Sequence, residues 1–232
     1  MIAGEPHPRP TLLADFILGS QDGLVNVLGI LLGLVISVSD VRVIYIAALA
    51  ALAAESISMG AVAYTSTRAR REHYLAEERR ELAEMRELPH LEREEVRQIF
   101  RTWGFEGPEL EQMVARIEAK PKAMLDLMMA FELHLAPVSA DQPLQSGLLV
   151  LAATVVGSII PLLPFLASPS TLHSDAIASV ILSGAMLFLV GWYEARVRLG
   201  SLWKSGIRML VIGLAAGLGG FLIGLLANAR VF

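Results

Sequence analysis

Residues 16–38 read FILGSQDGLVNVLGILLGLVISV, and residues 43–66 read VIYIAALAALAAESISMGAVAYTS. Each is apolar enough to cross a hydrocarbon core, which takes about 20 residues. Each also carries one carboxylate, Asp22 in the first and Glu55 in the second. An ionised group in a bilayer costs on the order of 3 kcal/mol or more, so such a residue marks an ion or proton path. The two helices are expected to run antiparallel. Asp22 is about six residues from the start of one, and Met59 about seven from the end of the other. With a rise of about 1.5 Å per residue, both sit roughly 10 Å in from the same face. A carboxylate and a thioether facing each other at one depth suit a borderline transition metal. Glu55 joins them by its depth and its closeness to Met59.

Working outward, three more spans are expected at about 147–167, 176–195 and 207–227. Gly213, Gly217, Gly220 and Gly224 form one face of the last span, and Gly29 and Gly33 give the first a similar notch, so close helix contacts are expected at both. Pro161 and Pro164 in the third span require neighbours to satisfy the freed carbonyls. The fold class is therefore an all-α membrane protein of five transmembrane helices. Its expected parts are 1–66, with the first two spans; 67–145, a polar helical insert; and 146–232, with the last three. The composition agrees, at 54% hydrophobic with a mean hydropathy of +0.56, too apolar for an ordinary soluble domain. No cysteine is present, which excludes disulfides and thiolate metal sites. A net charge of -4 without a basic patch excludes a nucleic-acid partner. The polar, Pro-rich first ten residues do not read as a cleavable signal peptide.

Lys and Arg set the expected orientation. Arg68, Arg70 and Arg71 follow the second span, and Arg196, Arg198, Lys204 and Arg208 flank the link between the fourth and fifth; the remaining links carry only Arg42. The insert and the N-terminus are thus expected in the cytoplasm, with Phe232 opposite.

The insert reads as helices over 67–87, 91–103, 108–119 and 121–135, punctuated by Pro89, Gly104, Gly107, Pro108 and Pro121. Glu81 and Glu84 form an i,i+3 pair, as do Glu92 and Glu95. Glu132 falls on the apolar stripe of Leu125, Met128 and Met129, where an unpaired charge is costly. A cation shared by the five glutamates would neutralise it. The competing reading makes the pairs solvated surface, balanced by Arg79, Arg80, Arg86 and Arg93.

Three motifs carry a resemblance. Gly19-Ser20-Gln21-Asp22-Gly23-Leu24-Val25, Glu55-Ser56-Ile57-Ser58-Met59-Gly60 and Met128-Met129-Ala130-Phe131-Glu132-Leu133 occur in order with a fitting insert between them. Here the chain resembles the vacuolar iron transporter family of divalent metal/proton exchangers, from about Asp15 to Ala229. The resemblance implies a homodimer and export of Fe²⁺, or of Mn²⁺ or Co²⁺, from the cytoplasm in exchange for protons. It implies a cytoplasmic metal-binding domain formed by the insert. Asp22 and Met59 match the transport-site carboxylate and thioether. Glu81, Glu84, Glu92, Glu95 and Glu132 match the domain's metal carboxylates, with Met128 and Met129 beside them. The metal is substrate, no cofactor is held permanently, and no enzyme activity is expected. A prokaryotic plasma membrane suits the chain, or a vacuolar-type membrane if it is eukaryotic. A manganese-preferring exporter and a membrane-anchored metal sensor stay open as alternatives. A di-iron oxidase does not: it wants two Glu-x-x-His pairs on regular helices, and the single candidate, Glu87-Leu88-Pro89-His90, holds a helix-breaking proline. No nucleotide-binding loop supports an ATP-driven pump.

Overall fold

The structure is a computed structural model and describes residues 10–167, 171–197 and 200–230. Arg198, Phe232 and the first nine residues, on which part of the orientation argument rests, lie outside the described residues. Those described form eight helices and no strand: α1 (Pro10–Ser37), α2 (Val41–Glu87), α3 (Pro89–Thr102), α4 (Gly107–Glu118), α5 (Pro121–Phe131), α6 (Gln142–Ala167), α7 (Leu172–Val197) and α8 (Leu202–Arg230). Five of them, α1, α2, α6, α7 and α8, are long and apolar enough to cross a membrane. The chain divides into two compact units, one of residues 1–65 with 143–232 and one of residues 66–142. α2 is a single helix of 47 residues that contributes to both. Nothing between Thr67 and Glu87 breaks it, and Ala, Leu, Glu and Arg in that stretch favour helix.

In the first unit, α1 is packed through glycine on two sides. A Cβ on Gly23 would lie 2.3 Å from the Thr154 carbonyl oxygen of α6, and one on Gly157 would lie 2.2 Å from that of Ser20. On the other side, Cβ atoms on Gly220 and Gly224 would meet the carbonyl oxygens of Gly29 and Gly33 at 2.2 and 2.5 Å. Gly217, Gly220 and Gly224 of α8 thus meet α1 at and around its glycine notch, while Gly213 of the same face meets Leu187 of α7. Small residues at such crossings let backbones approach and raise dispersion contact where lipid gives no hydrophobic drive. Ser37 Oγ also donates to the Gly224 carbonyl at 3.1 Å. Leu24, Leu28 and Leu31 of α1 are fully buried. At the proline-bearing end of α6, Ser179 Oγ donates to the Pro161 carbonyl at 2.7 Å and Tyr45 Oη to that of Phe165. Both hydroxyls serve carbonyls at this end of α6, whereas the carbonyls that Pro161 and Pro164 deprive of a helical donor are those of Gly157 and Ile160.

In the second unit, Val96, Phe100, Leu110, Val114, Met124 and Met128 form the core. Pro stands in the first turn of α3, α4 and α5, where its missing N–H costs no hydrogen bond. Gly104 (φ +90°) and Gly107 (φ +58°) make the α3–α4 turn in the left-handed region that glycine enters freely. Two expectations need correction. α5 ends at Phe131 rather than Leu135, because His134 turns to φ +54° and the Leu135 N–H returns to the Met129 carbonyl at 2.8 Å. Glu132 is therefore not on the apolar stripe: it follows the last turn and is exposed, while Met124 takes the core position.

Candidate metal sites

Asp22 and Asn26 are one turn apart on α1, so they share a face. Asn26 Nδ2 donates to Asp22 Oδ1 at 3.4 Å and, across to α2, to Glu55 Oε1. One amide thus ties together the two carboxylates. Asp22 and Glu55 are half-buried and Asn26 is exposed. Glycines set this register: Gly19 and Gly23 flank Asp22 and seat α1 on α6. Gly60 lets α2 approach the Gly147 backbone of α6, where an added Cβ would lie 3.0 Å from the carbonyl oxygen. Met59 follows Glu55 by one turn on the same face of α2, half-buried. Asp22 and Glu55 are brought together; Asn26, which joins them, was not singled out from the sequence. Its spacing of four from Asp22 was the available signal.

The second cluster lies wholly in the 66–142 unit. Glu81 of α2 and Glu92 of α3 are each only 3% exposed. A carboxyl so enclosed is desolvated, which favours its neutral form. Burial, then the bond to Glu81 and the negative charge of Glu81, Glu95 and Glu132, push Glu92 up to about 8. Glu92 thus holds a proton and shares it with Glu81, which burial also raises and which that bond pulls back down. One oxygen of each, Glu81 Oε1 and Glu92 Oε2, is buried without a hydrogen-bond partner. Burial and the charges of Glu81 and Glu84 raise Glu95. Partial desolvation and then the charges of Glu95, Glu81 and Glu84 raise Glu132 to about 7, against a small opposing pull from Arg80.

Some of the arginines near these groups are engaged elsewhere. Arg93 pairs with Glu111 at 3.5 Å and with Glu118 at 3.3 Å, and Arg97 with Glu111 at 2.7 Å. Arg80 alone among them reaches the cluster, bonding Glu84 at 3.1 Å. Glu81, Glu92, Glu95 and Glu132 therefore all hold protons more tightly than a solvated glutamate, while Glu84 is part of an ion pair. Met128 and Met129 are buried beneath, at 0% and 2% exposure. Met128 belongs to the hydrophobic core. Among the described residues, no three His, Cys, Asp or Glu side chains close on one point as a finished coordination shell. The carboxylates converge but remain open, an arrangement that side-chain rotation would have to complete. Beside them, Glu95, Glu132 and His134 border a cavity of about 500 Å³ floored by Ile99, Trp103 and Phe131.

A helical chain with five membrane-crossing helices and an acid–amide–acid cluster on two of them is an integral membrane protein of the ion-handling class. Residues 13–225 match the VIT family, and the chain belongs to it. It is 31% identical over 210 residues to "Vacuolar iron transporter 1" of Arabidopsis thaliana, covering 90% of this chain and 84% of the relative. It is 34% identical over 178 residues to "Vacuolar iron transporter" of Centaurea cyanus, at 77% and 72% coverage. With "Vacuolar iron transporter" of Plasmodium falciparum (isolate 3D7) it shares 28% over 227 residues, at 94% and 83%. Membership makes this a membrane protein of a metal-ion transporter family.

Proposed function

We propose that the chain moves a divalent transition metal, Fe²⁺ foremost, out of the cytoplasm in exchange for protons. The observation that carries this reading is the Asp22–Asn26–Glu55 cluster on two membrane-crossing helices. Two carboxylates there are costly unless they bind a cation or a proton. The iron in the relatives' names makes Fe²⁺ the first candidate. Asp22 binds metal and proton in competition, so a proton gradient drives metal the opposite way. Met59 adds a soft ligand that favours Fe²⁺, Co²⁺ or Mn²⁺ over Mg²⁺ and Ca²⁺.

Half-buried polar groups cannot face lipid, so a second copy covers them and the pore runs between protomers. The exposed small residues Ala50, Ala54, Ser58 and Ala61 of α2 suit such a contact. The 66–142 unit sits in the cytoplasm and gathers the metal. Its buried, unpartnered Glu81 and Glu92 oxygens support that role, since a cation that displaced the shared proton would give those oxygens a partner.

The test is flux into proteoliposomes with Fe²⁺, Mn²⁺, Co²⁺ and Zn²⁺, with and without a pH gradient. Asp22→Asn, which keeps the size and removes the charge, is expected to abolish flux in a folded protein. Near-normal Fe²⁺ transport by that variant would displace the site from Asp22. Wild-type vesicles that bind metal and move none would favour a sensor.

A further inference from the structure

The most constrained polar group in the first unit is an uncharged one. Asn26 Nδ2 lies within hydrogen-bonding distance of Asp22 Oδ1 and Glu55 Oε1. A carboxylate only accepts, so the side of the amide turned to both is its N–H side. The donor occupies the position between two acid oxygens that a cation would also seek. A metal reaching both carboxylates must therefore displace that N–H. An amide left pointing its N–H at a dication is repelled by it, whereas a half-turn about its terminal torsion presents Oδ1, a neutral oxygen ligand. The torsion is soft, and Asn26 is exposed rather than packed, so the turn meets little obstruction. α1 itself is fixed by backbone contacts at Gly23 and Gly29, which leaves the side chain as the part free to respond.

We infer that Asn26 stands in for the metal between Asp22 and Glu55 when the site is empty and turns its carbonyl oxygen to the ion as a ligand when the site fills. The inference rests on the proposed role of Asp22 in binding metal. It makes Asn26 a determinant of affinity for cations that accept a mixed carboxylate–amide–thioether shell.

Asn26→Leu removes both functions at similar size, and Asn26→Gln keeps the amide on a longer arm. In proteoliposomes the half-saturating Fe²⁺ concentration is expected to rise about tenfold in Asn26→Leu, roughly the effect of one lost ligand contact. That rise should exceed the fall in maximal rate, and Asn26→Gln should recover most of it. A second measurement does not depend on transport. The detergent-purified full chain carrying E81Q, E84Q, E92Q and E95Q is titrated with Co²⁺ and read by its visible absorption. Asn26→Leu should weaken Co²⁺ binding about tenfold and shift the band, with Asn26→Gln reversing both. Unchanged Co²⁺ affinity and band in Asn26→Leu overturn the inference, as does no Co²⁺ binding in that background. A lowered maximal rate with an unmoved half-saturating concentration also overturns it, since that is what a packing role would do. If wild-type vesicles move no metal, the transport reading falls, while the Co²⁺ titration still decides Asn26.

Discussion

Glu92 holds a proton that a solvated glutamate would have lost at neutral pH. With its carboxyl near 8 in the fold against about 4.3 in the unfolded chain, the folded state binds more protons through the window between. Stability therefore falls as pH rises through that window. In a background with Trp192 and Trp203 changed to Phe, Trp103 emission should report a metal-free unfolding midpoint lower at pH 8 than at pH 5, by ~5 °C. Glu92→Gln, which mimics the protonated form, should raise the pH 8 midpoint and flatten the pH dependence. A midpoint that climbs from pH 5 to pH 8 would refute this account. The same substitution should weaken metal binding, so stability and capture pull in opposite directions at one residue. With E81Q, E84Q, E92Q and E95Q combined, flux at low metal should slow and should largely recover at high metal. Normal flux at low metal would leave these glutamates as charge without a capture role.

Among the elements, α1 is the one held by backbone rather than by side chains. Gly157→Ala would drive a methyl to within 2.2 Å of the Ser20 carbonyl oxygen. Since a backbone atom cannot rotate away, α6 must shift, at a cost of about 1–3 kcal/mol. The expected outcome is a lower melting temperature in detergent together with reduced flux, because Ser20 is two residues from Asp22. An unchanged melting temperature would show that the crossing has slack. By contrast, Gly219 has nothing within 4 Å of an added Cβ, so Gly219→Ala serves as the neutral control.

What the sequence reveals of these elements follows the range of the forces that fix them. Runs of apolar residues and proline or glycine punctuation act locally, so the five spans and the helices of the insert were readable. The notch of Gly29 and Gly33 and the face of Gly220 and Gly224 were readable too, since spacing alone puts them on faces. The end of α5 was not, because it depends on His134 adopting a left-handed conformation that histidine seldom takes. Nor was the burial of Glu81 and Glu92, which depends on how helices distant in sequence meet. The stripe pattern pointed to Glu132 instead. Asn26 was not legible either, because an amide carries no charge to mark it.

For the whole molecule, the proposed orientation and pairing can be read by chemistry that the chain itself makes simple. It has no cysteine, so each one introduced reports alone. Glu106→Cys and Ala229→Cys should react with a membrane-impermeant maleimide from opposite sides, with Glu106→Cys on the cytoplasmic side. Labelling of both from one side would refute the odd span count. Ser58→Cys, on the exposed face of α2, should cross-link two copies under mild oxidation. A monomer at every concentration would leave the Asp22 cluster facing lipid and so contradict the proposed pore.

The buried, partnerless oxygens of Glu81 and Glu92 also bear on how long the protein survives in a cell. A fold that carries such groups opens more often than one without them, and proteases act on the open form. On the proposed capture role, a bound cation would close it again by mass action. Chains supplied with metal would then outlive chains deprived of it. The amount of transporter in the membrane would follow the abundance of its cargo through turnover alone, with no sensor or transcriptional signal between them.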